Sequence, residues 1–537
     1  MVDKSRSLWS ETATAASPRL ALTGSHRADV VIVGAGPVGL LLAILLGREG
    51  KSVTVVEKWP EIYDRPRAVT MDAEVARILA TLGIDCDNDP AFENHKELYY
   101  WKNADLKDLQ IVDWESLAPC GWHVTYWFNQ PEFEARLIDI ASTIPSVTLL
   151  RGWTATELSQ NAMGAQVTIN DATSARNIDA QFVVGADGAN SFVRDALGLN
   201  VIDEGYFFDW LILDMIPAAE YKAVPAQWQL CDPKRPTTIV PGGPGRRRWE
   251  FMVLPTEDKN EIAKPESAWR LLEPWGLSPE NAKLERSAVY RFQARYTENW
   301  LKGRCMIAGD AAHLMPPFAG EGMCAGLRDA VALHWRLSAI LDGTLDMNVL
   351  QSYESERIEH AKHYIQFSRD LGDIICIADK EKADERDARM MADLAARNHE
   401  PITGDLVKLG PGVWCEGTAT AGELSPQGMV QYQGREGRFD QAVGQGWMVL
   451  AVECSTAGLL SDTQRAALKK VGGRLLSLGT QGHDVETLDA SYRDWMSKAD
   501  AHYAIIRPDF YVAATAKTPE QLATCFDTIL DRLAGAR

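Results

Sequence analysis

Apolar and polar positions along the chain follow two rhythms. "DVVIV" (Asp29–Val33) is an unbroken, β-branched run of the kind buried in a parallel sheet. It passes at once through Gly34-Ala35-Gly36-Pro37-Val38-Gly39 into the helical "LLLAILLGREG", and a second strand, "SVTVVE", ends at Glu57. Taken as one block, Val30 to Gly47 approaches membrane-spanning length, but the GAGP interruption and Pro37 predict strand, turn and helix instead. The design recurs in "AQFVVGADGANSFVRDALG" (Ala180–Gly198) and in "RCMIAGDAAHLMPP" (Arg304–Pro317), where an apolar strand ends beside Asp187-Gly188 or Gly309-Asp310. Strand C-termini line the ligand crevice of a doubly wound sheet, so three strand ends are expected to converge on one elongated ligand.

The second rhythm is alternation. Residues 95–128 and 200–300 read as half-buried strands and carry Trp101, Trp114, Trp122, Trp127, Trp228 and Trp249. Within them "GRRRW" (Gly245–Trp249) reads as a hairpin turn with solvated charges. A charged helical run, "DKEKADERDARMMADLAARN", then leads into a final mixed unit with "GRFDQAVGQGWMVLAV" and "YAIIRPDFYVAATA" as buried strands.

Composition narrows the classes. A chain of 537 residues predicts two or three domains, and 46% hydrophobic with 24% charged residues is an ordinary globular balance. A net charge of −19 argues against nucleic-acid partners. Nine cysteines without a CxxC fit a reduced, cytoplasmic setting. Residues 1–27 lack a continuous apolar stretch and read as a loose arm with no signal peptide.

The glycine turn carries the first chemistry. Gly34 allows the tight turn, Gly36 lets backbone approach a pyrophosphate, and Gly39 lets the helix pack on the strand. The helix N-terminus presents free N–H groups to the anion. Glu57, 23 positions after Gly34, can accept both hydroxyls of an adenosine ribose. Strand, glycines, helix, strand and acid in order within 30 residues point to a dinucleotide, without choosing between FAD and NAD.

The choice comes from further motifs. "RPRAVTMDAE" (Arg65–Glu74), "NQPEFEARL" (Asn129–Leu137), "VVGADGANSFVR" (Val183–Arg194), "GDAAHLMPPFAGEGMCAGLRDA" (Gly309–Ala330) and "YESER" (Tyr353–Arg357) follow the glycine turn in order. With it they resemble the class A flavoprotein aromatic hydroxylases, built like p-hydroxybenzoate hydroxylase, and especially the 3-(3-hydroxyphenyl)propionate and polyketide hydroxylase branch.

That resemblance implies an α/β fold: a Rossmann-like FAD-binding domain (28–95, 129–200 and 300–370) with an interleaved β-sheet substrate domain (96–128 and 201–299). A helical linker (371–404) and a thioredoxin-like C-terminal domain (405–537) would follow, the latter without dithiol chemistry for want of a CxxC. FAD would be held by Gly34, Gly36, Pro37, Val38, Gly39 and Glu57. Arg67 would approach the flavin or the incoming nicotinamide, Gln130 the ribityl or ring region, and Asp310 the ribityl hydroxyls. Asp187 and Gly188 belong to the motif associated with both FAD and NAD(P)H, and Arg194 supports their turn. Plainer readings stay open: Gln130 as a cap of the helix beginning at Pro131, Asp187 as an N-cap, Glu57 as a solvated strand end and Arg67 as a surface ion-pair partner.

Pro317, Gly320, Gly322 and Met323 would lie against the isoalloxazine ring, where a helix starting near Gly322 presents N–H groups to the N1–C2=O edge, a contact of about 0.3–2 kcal/mol. Arg67 and Pro317 are the candidate catalytic positions through flavin-side geometry, with the base unidentified. Trp228 and Trp249 are the candidate substrate-pocket residues. No metal is expected: His313 reads as structural, and His360 and His363, despite their spacing, as a solvated helix face. The family pattern usually has Gln where Glu321 stands, and the glutamate is expected to point outward.

The expected reaction is hydroxylation of a phenolic or related aromatic ring by a flavin C4a-hydroperoxide, with O2 and NADH or NADPH as transient co-substrate. A reductase or oxidase on the same fold, or a non-enzymatic flavin-binding sensor, are the alternatives. A homodimer is compatible with the sequence.

Overall fold

Apolar runs end where glycine turns begin, and this segmentation builds the first of the four sheets found among the described residues. The computed structural model describes residues 26–63, 67–94, 97–222, 225–404 and 407–535. Of the loose arm expected over 1–27, His26 and Arg27 already pair in the first strand, and the rest lies outside the described residues.

The first sheet has parallel strands Cys305–Ile307, Ala175–Gly185, His26–Val33, Val53–Glu57 and Val147–Arg151 side by side. The antiparallel strands Ala165–Asn170 and Thr154–Gln160 branch from Ala175–Gly185, and Leu301–Lys302 forms one edge. The would-be spanning segment is the strand His26–Val33 followed by the helix Pro37–Arg48. Among the described residues no helix is long and apolar enough to cross a membrane.

Register aligns the ends of these strands: Val33 stands beside Val56 and Gly185, and Gly185 beside Ile307. Backbone bonds tie the loops beyond them together, from Gly34 N to Val56 O (2.8 Å), Ala186 N to Val33 O (2.8 Å) and Ala308 N to Gly185 O (2.9 Å).

The second sheet is formed by His313–Leu314, Ala282–Thr297, Val201–Pro217, Arg247–Met252, Thr237–Pro241, Trp228–Leu230, Tyr99–Lys102 and Asp108–Val112, in that order. Thr125–Phe128 does not join it. That strand lies between Thr70–Asp72 and Phe92–Glu93 in a small separate sheet. Helix Lys380–Ala396, expected as a linker, packs on the second sheet, where Met390 and Met391 join its apolar cluster and Arg386 donates to Cys231 O at 2.6 Å.

The last sheet sets a parallel trio, Val485–Thr487, Arg474–Gly479 and Met448–Val452, beside the antiparallel pair Tyr503–Ile506 and Val512–Ala516. "GRFD" is not strand throughout: Phe439–Ala442 is a short helix. This unit docks through Arg77, which donates to Asp440 (2.6 Å) and Ser425 O (2.7 Å), and through Arg438, which lies 3.7 Å above the Trp122 ring.

Candidate active site

Strand ends, turns and the inner face of the second sheet enclose one cavity of about 1410 Å³. Its first half is built by backbone. Gly34 has φ +106°, and a Cβ there would stand 2.3 Å from Ala186 O. A Cβ on Gly39 would stand 2.1 Å from Gly34 O. Gly36 differs: a Cβ there would meet no protein atom within 4 Å, so this glycine leaves open space at the head of the helix Pro37–Arg48. Pro37 and Val38 border the same space, and Val38 also fills the gap beside Gly309 and Gly326.

Glu57 reaches back to the turn and accepts from Ala35 N and Trp59 N, both at 2.9 Å. Asp310 opens into the cavity but is ringed by protein, which pushes its carboxyl above the usual range while His313 and Arg67 oppose the shift. Asp187 spends its oxygens on the local turn, accepting from the Ser191 hydroxyl (2.5 Å) and Val193 N (3.1 Å), and burial raises its carboxyl too. The N-cap of the helix Phe192–Leu197 is Ser191. Gly188 lines the cavity with φ +80°. Arg194 donates to Ala189 O (3.0 Å) and Ala311 O (3.4 Å), bracing two of the strand-end loops.

Gln130 is buried at the cavity wall, where its Oε1 accepts from Arg67 N (3.1 Å) and Ala68 N (2.7 Å). It therefore holds the segment that carries Arg67, while Asn129 caps the helix Gln130–Ser142. Arg67 borders the cavity, with its guanidinium 5.3 Å from the Tyr63 ring. Pro317, Gly320, Gly322 and Met323 also line the cavity. Gly320 takes φ +71°, and a Cβ there would come within 2.8 Å of Thr70. The helix Gly322–Leu341 then begins with Glu321 as N-cap, and no side chain caps its first N–H groups.

Four expectations are corrected. Trp228 and Trp249 do not line the cavity, because strand parity turns them to the other face of the second sheet. Trp249 packs among Leu211, Leu213 and Ile239, and Trp228 lies under Lys102 Nζ at 4.9 Å, while Gln229, Arg248 and Glu250 face inward. The tryptophans that line the cavity include Trp101, Trp114 and Trp127, with Trp114 stacked on Tyr99 at 4.0 Å.

The "GRRRW" charges are not all solvated. Arg247 and Arg248 are buried, and Arg248 makes a two-pronged bond to Asp214 (2.7 and 3.1 Å). His360 is buried and accepts from Arg357 (2.9 Å), so it lies on no solvated face. Burial and the arginines hold it neutral, far below the usual imidazole range.

Glu321 does not point outward. It folds back onto Arg328, two helical turns on, at 2.9 Å. Arg328 also bonds Glu74 (2.6 Å) and Asp72, so three carboxyl groups share one guanidinium. Burial first, and then the Asp72 charge, push the Glu321 carboxyl up to about 8. Asp72, Glu321 and Cys324 are close enough to resemble a metal-ligand set, but the guanidinium already supplies the cation. His313 is structural, with Nε2 2.8 Å from Asp329 and its ring stacked on Trp300.

A long cradle with a glycine-cleared helix N-terminus, continuous with an aromatic-walled chamber, defines a flavoprotein of the class that hydroxylates aromatic rings. The chain belongs to the family described as FAD binding domain, whose model matches residues 27–368, and residues 422–532 match the HcaD C-terminal domain. It is 33% identical to a Rhodococcus jostii (strain RHA1) protein named "Probable NADH-specific resorcinol 4-hydroxylase", over 93% of this chain and 94% of that one. It is 32% identical to a 3-(3-hydroxy-phenyl)propionate/3-hydroxycinnamic acid hydroxylase of Burkholderia cenocepacia (strain HI2424), over 91% and 94%. The fold is shared with the flavin-dependent monooxygenase PieE, solved with FAD and substrate (TM-score 0.78, 19% identity, 96% of this chain and 100% of that one). Aklavinone-11 hydroxylase, solved with FAD and aklavinone, gives TM-score 0.76 at 21% identity over 95% and 100%.

Proposed function

We propose that this protein uses NADH and O2 to add one hydroxyl group to a phenolic ring, with FAD lying along the cavity from Glu57 to the head of the helix Gly322–Leu341. The observation that carries this reading is the continuity of the cavity: the dinucleotide cradle and the aromatic chamber are one space. Bound there, FAD would supply hydride acceptance from the nicotinamide and the activation of O2. Everything else falls to the chain's own groups.

Gly36 and the N–H groups of Val38 and Gly39 would hold the pyrophosphate, and the still-open lone pairs of Glu57 the ribose hydroxyls. Asp310 would accept from the ribityl chain. Gln130 acts by fixing Arg67, and Asp187 by fixing the Gly188 turn. Pro317 and Gly320 set the wall against which the ring would rest, and the uncapped N–H groups from Gly322 and Met323 would favour negative charge on its near edge. Trp114, Trp127 and Phe318 exclude water from the chamber, which limits wasteful release of peroxide. The NADH preference rests on the Rhodococcus relative's name. We also read the last unit as thioredoxin-like, supported by its parallel trio and antiparallel pair, with a packing role.

The test is NADH oxidation by the FAD-loaded enzyme across a series of phenols under 18O2. One labelled oxygen in the product is expected. Phenol-stimulated NADH oxidation with no label in any product would replace this reading with a reductase or oxidase.

A further inference from the structure

The floor of the aromatic chamber is a polar row laid across neighbouring strands. Gln110 pairs with Trp101, Trp101 with Gln229, Gln229 with Thr238, and Thr238 with Glu250, and all five border the cavity. At its centre Gln229 is satisfied from within, while the Trp101 indole N–H is buried without a partner. Gln229 Oε1 accepts from the Thr238 hydroxyl (2.8 Å) and the Tyr99 hydroxyl (3.3 Å), while its Nε2 donates to Thr237 O (3.2 Å). What Tyr99 and Thr238 still offer a ligand is oxygen lone pairs.

Glu250 adds a carboxylate at the end of this row. Among the described residues its ion-pair neighbour is Arg248 at 3.7 Å, beyond hydrogen-bond reach. Arg248 is itself committed to Asp214 and to Arg67 O (2.9 Å). The Glu250 end of the floor, a carboxylate beside two hydroxyls whose protons are already committed, takes a ligand with O–H donors and disfavours one that brings a second carboxylate.

We propose that Glu250 is the base for the substrate's phenolic hydroxyl, and that the substrate class is a hydroxybenzene carrying a second O–H donor and no carboxylate. This rests on the hydroxylase reading above. The hydroxyl proton passes to Glu250 as the oxygen's electron pair moves into the ring and the ortho or para carbon gains its C–O bond. One atom of O2 enters that bond, the other leaves as water, and NADH supplies the two electrons. When the new sp³ carbon then loses its hydrogen to water, Glu250 returns its proton to the first oxygen.

The groups that face Glu250 suit proton acceptance. Burial raises its carboxyl, with Asp214 adding to the rise, Arg248 and Arg286 opposing it, and Tyr99 alongside. A base closer to the working pH is more effective.

The test uses the FAD-loaded enzyme with 1,3-dihydroxybenzene and 3-(3-hydroxyphenyl)propionate as probes. Wild type is expected to bind the first at least about tenfold tighter, as read by perturbation of the flavin spectrum. Glu250→Gln should lower kcat/KM for it by about 10²–10⁴ and remove the acid limb of its pH profile, with the FAD Kd unchanged. Glu250→Asp, which keeps the carboxylate, should recover part of the rate.

Equal affinity for the two probes would overturn the substrate class. If Glu250 only balances Arg248 and Arg286, Glu250→Gln will lose stability while the pH profile stays put, and the base assignment falls. Wild type that binds FAD yet hydroxylates no phenol would sink the hydroxylase reading, and with it this one.

Discussion

Two buried ionic clusters use the same side chains to opposite ends. Around Glu356 the charges balance. Arg336 (2.6 Å) and Arg507 (2.7 Å) hold Glu356, and Arg507 also binds Asp509 (2.6 Å). The arginines overcome burial and keep both carboxyls below their usual range. Around Arg328 they do not balance: one guanidinium serves Asp72, Glu74 and Glu321. The first cluster does not line the cavity, and it locks the C-terminal unit to the FAD-binding domain. The second forms part of the cavity wall, and there burial and the Asp72 charge raise the Glu321 carboxyl at the head of a helix. Matched charge makes a clamp, and surplus charge of one sign makes a titrating group.

The comparison breaks most visibly at the clamp. Glu356→Ala leaves two buried guanidiniums without their shared partner and should cost about 3–5 kcal/mol in urea unfolding of the FAD-loaded protein, with little dependence on pH near neutrality. A loss below about 1 kcal/mol would show that the cluster is not a clamp.

Arg328→Met should cost less, about 3 kcal/mol at pH 8, because the three carboxyls left behind can take up protons. The same unfolding measurement should show the loss shrinking towards pH 5.

Glu321→Gln sharpens the contrast through its sign. The folded carboxyl near 8 lies above its unfolded value of about 4.3, so the stabilisation from its proton is fully present below about 4.3 and is lost as pH rises through 8. Wild type should therefore fall behind the variant by at least about 2 kcal/mol at pH 9, with the gap shrinking towards pH 5. A gap that does not vary with pH would remove the shared-proton account.

The smallest effect is expected from Tyr511→Phe, which deletes the 3.2 Å bond from the C-terminal unit to Glu74 and should cost about 1 kcal/mol by the same unfolding measurement.

How much of this could be read from the chain depends on the range of the interactions involved. Gly39 must be glycine because of Gly34 O, five residues back, so a short motif carries it; Gly34 is constrained by Ala186 on a distant strand end, but its φ of +106° is a local turn requirement that the same motif displays. Glu250 and Trp249 are adjacent in sequence, and only strand parity decides which one meets the cavity. The alternation in "RRWEFM" was the available signal: Arg248 and Glu250 share a face that tryptophan and phenylalanine do not. Tryptophan content does not separate the faces, since Trp101 lines the cavity and Trp249 does not. The direction of Glu321 is hidden for a related reason: its partner Arg328 is visible at helical spacing, but the carboxyls of Asp72 and Glu74 arrive from a distant segment.

The amino-acid order alone made the doubly wound sheet, its glycine turn and the acids at its strand ends legible, because each is written in a short motif of apolar run, turn and helix. Tertiary structure alone decided which face of the second sheet became the chamber floor, which carboxyl is raised, and where the last unit docked. Those outcomes depend on register and on charges brought together from across the chain, and a shift of one residue in a strand reverses them.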